Sequence, residues 1–284
     1  MTAAILNLCF ACYLAALAAY AAAYLFPQPA LRKAGQALLA AAGLLQTVFL
    51  AQRWQTSGHA PLSNQFESLV SMSWGLTALA ACFWRLAPGE WLGPATAGMN
   101  LAILGVCALL DTTTAPLVPA LQSNWLLLHV SVIMLAYSAL ALSFLASAVY
   151  LTASGHRATH ETTVGKGPPS LKGWRSHLPE GAVTLDRFNE RAMALGYVLL
   201  TAGIVLGAVW ANEAWGTYWS WDPKETWSLI TWLVYTAAIH LRRTHRWQGR
   251  AMAWFSVAGF AVVLFTYFGV NYLMSSLHSY AGSQ

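Results

Sequence analysis

The stretch WGTYWSWDPKETWSLITWLVYTAAIHLR, residues 215–242, joins a cluster of aromatic residues to an apolar run. Asp222 can cap the start of a helix, and Pro223 suits the first helical position. Glu225 follows three residues after the cap, which is the spacing of a capping box. The sequence then stays largely apolar as far as His240. The stretch therefore predicts a tryptophan-rich loop followed by a helix that crosses a membrane.

The composition extends this prediction to the whole chain. Of the 284 residues, 57% are hydrophobic and 9% are charged, whereas soluble domains carry roughly 25% charged residues. Apolar runs long enough to cross a hydrocarbon core of roughly 30 Å recur throughout the sequence. They predict an all-α, polytopic membrane protein with a single integral membrane domain over residues 1–284. The eight expected spans lie near residues 2–26, 34–51, 66–87, 92–110, 125–151, 192–211, 225–241 and 251–277.

The basic residues indicate how these spans are oriented. All but two of the 15 Lys and Arg residues fall in the connections after spans one, three, five and seven. Only Arg53 and Lys224 lie on the opposite side. Because Lys- and Arg-rich connections stay in the cytoplasm, both termini and the tryptophan-rich loop are expected to face outward. The net charge of +5 thus reflects orientation and does not indicate nucleic-acid binding.

The longest connection between spans covers residues 152–191. It combines several Gly and Pro residues with scattered basic residues. This composition predicts a flexible cytoplasmic loop.

Aromatic residues are crowded into the outer loop, residues 212–224. Trp215, Tyr218, Trp219 and Trp221 all precede the helix cap. Tryptophan collects at membrane interfaces, and this is one explanation. An interfacial belt, however, would spread over many helix ends, whereas these rings share one loop. The alternative hypothesis is a platform on which a flat, apolar ligand stacks.

Histidines near span ends are the candidate metal ligands. His129 lies about one turn into span five, and His278 follows the last span, so both are expected near the outer surface. Two imidazoles at one membrane level can supply both axial nitrogens of a haem iron, although two unrelated interfacial histidines would look the same. His240 ends span seven near the inner face, either as a snorkelling side chain or as an inner ligand. His59, in an outer loop, is a weaker candidate.

The segment PLSNQFESL, residues 61–69, holds a carboxylate at the membrane edge. Ser63 or Asn64 can cap a helix here, and Glu67 can complete the capping box. A buried carboxylate at this position can also hold a cofactor-binding partner, so both interpretations stay open.

Four segments of the chain resemble the tryptophan-rich cytochrome c assembly family, of the CcsA (ResC) type from System II cytochrome c maturation. They are PLSNQFESL at residues 61–69, WLLLHVSVIMLAYSAL from Trp125, the stretch at residues 215–242, and GVNYLMSSLHSY from Gly269. The tryptophan block is highly specific, and the order of the histidines along the chain adds to it. The resemblance covers most of the molecule.

The resemblance implies a set of haem contacts. His129 and His278 would be the two outward ligands of haem b, and residues 212–224 would form an outer haem-binding loop. His240 would contribute to an inner haem site. A separate ResB-type (CcsB-type) membrane partner would supply the second inner histidine. The loop residues expected to bind the cofactor are Trp215, Tyr218, Trp219, Trp221 and Asp222.

The function implied is that of a subunit of a System II cytochrome c synthase. It would move haem across a bacterial cytoplasmic membrane and present it on the outer face to the C-x-x-C-H segment of apocytochrome c. A thiol-reducing system would keep that segment reduced. The sequence identifies no catalytic acid or base, since the chemistry belongs largely to haem and thiols. The alternatives are a haem-delivery protein of the same superfamily, a b-type electron-transfer protein, and a multi-pass transporter.

Overall fold

The computed structural model describes residues 2–87, 90–113, 116–158 and 180–274, and within these ranges the chain forms helices and no strands. The prediction of an all-α fold is confirmed. The longer helices are α1 (Thr2–Leu25), α2 (Pro29–Ser57), α3 (Gln65–Phe83), α4 (Leu92–Cys107), α5 (Asn124–Ala158), α6 (Glu180–Trp215), α7 (Pro223–Thr244) and α8 (Arg250–Leu264). A π-helical turn (Phe265–Gly269) continues α8 into the short helix α9 (Val270–Leu273).

Each predicted span coincides with one of these helical segments, and the differences lie at the helix ends. The largest concerns the connection expected at residues 152–191, because α5 continues to Ala158 and α6 begins at Glu180. The start of α6 is held by packing, since Phe188 lies edge-on against Phe83 and Trp91, with ring centroids 5.4 and 4.9 Å apart. Residues 159–179 lie outside the described ranges.

Within the described ranges, six helical segments are long and apolar enough to cross a membrane. They are α1, α2, α3, α5, α6 and the segment formed by α8 and α9. Helix α4 is apolar but has only 16 residues. Helix α7 carries Lys224 and Glu225 at one end and Arg242 and Arg243 at the other, which lowers its mean hydropathy. The chain is thus a multi-pass membrane protein, and spans four and seven remain predictions.

Helix α5 lies at the centre of the molecule and packs along α6, α3 and α8. Its contact with α6 is especially close. A Cβ atom on Gly203 would lie 2.4 Å from Ile133 Cδ1, so the missing side chain of this glycine leaves room for Ile133 between the two helices. Small residues serve the same purpose in many membrane helix pairs, where packing replaces the hydrophobic effect.

The first four helices share a buried network of polar side chains. The Tyr13 hydroxyl donates to Gln46 Oε1 and lies 2.7 Å from Thr77 Oγ1. Gln46 Nε2 donates to Ser73 Oγ, which donates to Asn100 Oδ1 at 2.5 Å. Asn100 Nδ2 closes the ring by donating to Thr77 Oγ1 at 2.9 Å. Because these side chains satisfy one another's hydrogen-bonding groups, the polar cluster is tolerated within apolar helices.

A buried ion pair joins α2 to α3 at the end of the bundle that is predicted to face outward. Arg53 Nε donates to Glu67 Oε1 at 2.8 Å, and Arg53 Nη1 donates to the carbonyl oxygen of Thr112 at the same distance. The Asn64 cap is confirmed, because Asn64 Oδ1 accepts from the backbone N–H of Glu67. The predicted capping box differs, because Glu67 Oε2 accepts from the backbone and hydroxyl of Ser63, the residue before the cap. Glu67 therefore fixes the chain before α3.

A second buried cluster holds the opposite ends of α6 and α7. Arg242 donates to both carboxylate oxygens of Asp186, at 3.1 and 2.8 Å, and to Glu190 Oε2 at 2.8 Å. Asp186 Oδ1 also accepts from the backbone N–H of Gly249, just before α8. Three helix ends are thus tied together on the side predicted to face the cytoplasm.

Candidate functional site

The tryptophan-rich loop is shorter in the structure than the sequence predicts. Trp215 is the last residue of α6, and α7 begins at Pro223, so residues 216–222 form the connection. Two residues in it have left-handed backbone conformations, Gly216 with φ of 77° and Trp221 with φ of 60°. For Trp221 this conformation costs roughly 1–2 kcal/mol, because its Cβ crowds the following carbonyl. The surrounding contacts must hold that residue in place.

Those contacts come from the start of α7. Asp222 Oδ2 accepts a hydrogen bond from the backbone N–H of Lys224 at 3.0 Å. Glu225 Oε2 accepts in return from the backbone N–H groups of Asp222 and Ser220, at 3.2 and 2.8 Å. The predicted capping box is confirmed, and it encloses Trp221 between two bonded residues. The charges among the rings therefore fix the loop.

The rings of the loop separate into an exposed group and an inner group, which faces the helix bundle. Tyr218 and Trp221 are 59% and 67% exposed, and Trp219 packs edge-on against Trp221 with ring centroids 5.8 Å apart. Trp215 turns the other way and packs against the buried ring of Trp210, with centroids 4.8 Å apart. The exposed group offers faces to a ligand, whereas the inner group leads towards α5.

His129 is the next ring in that inner group. It stacks on Trp210 with ring centroids 6.2 Å apart and an interplanar angle of 13°. Its Nδ1 lies 2.7 Å from the carbonyl oxygen of Gly203. Since a carbonyl only accepts, Nδ1 must carry the proton, which leaves Nε2 with a free lone pair. Metal-binding histidines in proteins are typically oriented in this way.

Gly207 makes room for the imidazole of His129. A Cβ atom at this position would lie 2.6 Å from Cε1 and 2.7 Å from Nδ1 of the ring. Gly203 and Gly207 are four residues apart on α6, so they share one face of the helix. Neither these two glycines nor Trp210 was among the site residues predicted from the sequence. The spacing Gly-x-x-x-Gly within an apolar run was the signal for the glycines.

A cavity of about 460 Å³ opens where the end of α2, the start of α5 and the end of α6 meet. Its volume is within the usual range for small-molecule sites, roughly 300–1,000 Å³. Trp125 in its wall is one helical turn before His129, and His59 also lines it. Glu213 lines the cavity as well and accepts from the Ser123 hydroxyl at 3.0 Å. The aromatic and ionisable residues in this wall are Trp54, His59, Trp125 and Glu213.

His278 lies outside the described residues, but the helix leading to it is tied to the loop. Lys224 Nζ donates to Asn271 Oδ1 at 2.8 Å, which links the start of α7 to α9. The Tyr272 hydroxyl donates to Gln65 Oε1 at 2.8 Å, which links α9 to the start of α3. The last described turn of the chain therefore lies at the same end of the molecule as the tryptophan-rich loop.

His240 lies at the other end of α7, separate from this group. It is 18 residues after Asp222, which is about 27 Å along a helix. Its ring is exposed, its Nδ1 lies 3.5 Å from Thr244 Oγ1, and its centroid is 6.0 Å from that of His245. The structure thus brings His129 and Trp215 together through Trp210 and keeps His240 apart.

Comparisons with known proteins agree on one family. Residues 62–278 match the model of the cytochrome C assembly protein family. The chain is 39% identical over 319 residues to a cytochrome c biogenesis protein CcsA from Synechocystis sp. (strain ATCC 27184 / PCC 6803 / Kazusa), covering 96% of each chain. It is 44% identical over 269 residues to the CcsA of Synechococcus sp. (strain RCC307), covering 89% of this chain and 86% of that one.

A solved structure shares the fold. The cytochrome c heme lyase CcmF matches with a TM-score of 0.66 at 20% identity, covering 97% of this chain and 47% of that one. This chain therefore spans about half the length of that protein. At this identity the likeness concerns the fold alone. The family match over most of the sequence and the similarity to the CcsA proteins show that this multi-pass membrane protein belongs to the cytochrome c assembly family and has a role in cytochrome c biogenesis.

Proposed function

We propose that the chain is the haem-binding and haem-translocating subunit of a System II cytochrome c synthase in a bacterial cytoplasmic membrane. The observation that carries the proposal is the orientation of His129. Its Nδ1 is held by the Gly203 carbonyl, its ring stacks on Trp210, and its Nε2 is left with a free lone pair. An imidazole fixed in this way suits an axial position on a haem iron.

The outer site would hold haem b between His129 and His278. Two imidazoles fill both axial positions of the iron and so protect it from other ligands. The exposed rings of Tyr218 and Trp221, with Trp219 behind them, would stack on the porphyrin. Trp215 would act through Trp210 on the orientation of His129, and Asp222 would keep the loop in its conformation. The loop residues therefore bind and orient the haem.

The attachment step needs few groups from the protein. Each reduced thiol of the C-x-x-C-H segment adds across a haem vinyl group: the sulfur bonds to one carbon, and a hydrogen goes to the other. No oxidant is consumed, and the histidine of the segment then replaces one axial ligand. The cavity beside Trp125 offers space for that segment one turn from His129. The protein contributes mainly by holding the reactants close together.

Haem would reach this site from the cytoplasmic side. His240, exposed at the inner end of α7, would be the first ligand there. A ResB-type (CcsB-type) membrane protein would dock against this end and supply a second histidine. A thiol-reducing system on the outer face would keep the apocytochrome ready for reaction. Haem and the ResB-type partner would thus meet this chain at its inner end, and the apocytochrome would meet it at its outer end.

The role of His129 and His278 is tested by changing each to Ala and recording the absorption spectrum of the purified protein. Both variants are expected to lose the low-spin spectrum of two-imidazole ligation and to regain it when free imidazole is added. His59→Ala, a histidine in the same outer region, is the matched control and should keep the native spectrum. Low-spin haem retained in both variants without imidazole would contradict the proposal.

Haem delivery without attachment is the second candidate, because the same binding geometry suits it. Co-expression with a ResB-type partner and an apocytochrome separates the two functions. Covalent haem on the cytochrome is expected with the wild-type chain, and it should be lost in His129→Ala and partly restored by imidazole. Bound haem without any covalent product would favour delivery.

A further inference from the structure

The cavity beside Trp125 is lined by an acid and by neutral donors and acceptors. Its polar side chains are His59, Ser63, Gln122, Ser123, Asn124 and Glu213, and among the described residues no Lys or Arg lines it. Two indoles in the wall, Trp54 and Trp125, are 50% and 42% exposed and offer their faces to a ligand. The carboxylates of a haem call for cationic partners. The cavity therefore suits a ligand that donates hydrogen bonds or carries positive charge, and it does not suit haem.

Glu213 is held in this wall by a contact between α6 and the start of α5. Its Oε2 accepts from the Ser123 hydroxyl at 3.0 Å, and the Ser123 oxygen accepts from the backbone N–H of Trp125 at 3.1 Å. Among the described residues, Ser123 is the one hydrogen-bonding partner of this carboxylate, and the Glu213 side chain is exposed. Its Oε1 is thus open to a ligand beside Trp125.

The cavity lies next to the group of rings that holds His129. On α5, Trp125 is four residues before His129, and on α6, Glu213 is three residues after Trp210, which stacks on His129. Residues three or four apart are neighbours on the surface of a helix. A ligand between Trp125 and Glu213 is therefore about one helical turn, roughly 5 Å along the helix axis, from the His129 group.

The chemistry of this wall matches one side chain of the C-x-x-C-H segment. Among the fixed residues of that segment, only the histidine combines a ring that stacks on an indole with an N–H group that a carboxylate can accept. In metal sites, a carboxylate that accepts from Nδ1–H of a histidine fixes the tautomer and leaves Nε2 free to bind the metal. A histidine held by Glu213 is thus ready to bind iron.

We propose that Glu213 determines the recognition of the apocytochrome: its carboxylate accepts the Nδ1–H of the C-x-x-C-H histidine while that ring stacks on Trp125. The inference rests on the proposed function, because it takes the C-x-x-C-H segment as the substrate of this chain. It adds a docking site for the segment that is separate from the haem ligands. The histidine occupies this site before it reaches the iron.

The test measures docking without chemistry. A fluorescent apocytochrome peptide carries Ala in place of both Cys, so that no thioether can form, and fluorescence anisotropy gives its affinity for the purified full chain. Glu213→Gln is expected to weaken binding about tenfold, because the hydrogen bond from the imidazole to a carboxylate is lost. Its haem should keep the native low-spin spectrum, which also shows that the variant is folded.

Glu90→Gln is the matched control. Its carboxylate is also exposed, but it pairs with Arg32 beyond the end of α3 and is not in the cavity wall. This variant should bind the peptide like the wild type. Equal losses of affinity in Glu90→Gln and Glu213→Gln would refute a specific role of Glu213.

A second peptide, whose histidine is methylated at Nδ1, removes the same hydrogen bond from the other partner. It should bind the wild-type chain about tenfold more weakly than the first peptide, and Glu213→Gln should weaken its binding no further. Losses that simply add, or native affinity of Glu213→Gln for the first peptide, would refute the role of Glu213. These results leave the haem site standing, because ligation of haem is reported by the spectrum and docking by the anisotropy.

Discussion

At the scale of single residues, the candidate site depends on groups that do not touch the ligand. His129 is oriented by a carbonyl of α6 and by the ring of Trp210. Gly207 is as important as these partners, since any side chain there would occupy the space of the imidazole. Positions such as this one carry no chemistry of their own, and their effect on the proposed haem site would pass through His129.

Replacing Gly207 by Ala is expected to displace the imidazole of His129. The added Cβ would lie 2.6 Å from Cε1, so the ring must turn and its hydrogen bond to the Gly203 carbonyl must break. Haem affinity at the outer site should fall by about 10- to 100-fold, the usual effect of disturbing an oriented metal-binding histidine. Titration of the purified protein with haem, followed by its absorption spectrum, measures this.

The matched control is Gly98→Ala in α4, where an added Cβ meets nothing within 4 Å. This variant should bind haem like the wild type. A folded Gly207→Ala protein with native affinity and a native spectrum would show that the close contact between Gly207 and His129 does not orient the ligand.

At the scale of helices, the ion pair of Arg53 with Glu67 holds one end of the helix bundle, and the cluster around Arg242 holds the other. The pair of Arg53 and Glu67 links α2 to α3, and Arg53 also donates to the carbonyl oxygen of Thr112. Trp54, the residue after Arg53, lines the cavity beside Trp125. Ser63, which bonds Glu67, lines that cavity. The buried ion pair thus holds one part of the cavity wall, and this contact requires both partners.

Arg53→Gln is expected to destabilise the protein by about 3–5 kcal/mol, because Glu67 then stays buried with its charge only partly compensated. The free energy of unfolding in detergent measures this loss. The double variant Arg53→Met with Glu67→Met should recover part of it, since no buried charge remains.

Arg243→Gln serves as the control for this experiment. Its guanidinium is exposed, so the change should alter the free energy of unfolding by less than about 1 kcal/mol. Equal losses in Arg53→Gln and Arg243→Gln would show that the buried pair has no special role.

At the scale of the whole molecule, the candidate haem ligands lie at two opposite ends of the bundle. The tryptophan-rich loop, His129 and the cavity lie at one end, whereas His240 lies at the other, about 27 Å away along α7. The proposed translocation of haem requires this separation, because one site must face each side of the membrane. The orientation itself is a prediction from the distribution of Lys and Arg.

Labelling of single cysteines tests that orientation. In a chain whose native cysteines are replaced by Ala, Tyr218→Cys in the loop should react with a membrane-impermeant maleimide in intact cells. Arg246→Cys should react only after the membrane is made permeable. Both side chains are exposed in the structure, so access to the reagent depends on the side of the membrane. The reverse pattern would overturn the topology and the direction of haem transfer.

The sequence by itself determined the all-α membrane fold, the positions of most helices and the cap at Asp222. These features follow from local patterns: apolar runs of the length of a span, and cap residues at fixed spacing. Where patterns were mixed, as at the start of α6, the helix continued because Phe188 finds aromatic partners on other helices. The local pattern of one helix does not show which partners its side chains will find on other helices, so such contacts were not predicted.

Only the tertiary structure decided which residues orient His129 and which residues surround His240. Trp210, Gly203 and Gly207 are distant from His129 in sequence and meet it because α5 and α6 pack closely. His245 lies near His240 because the chain turns at the end of α7 and is anchored there by Arg242. Contacts between elements depend on how helices pack, and a linear pattern does not encode that geometry.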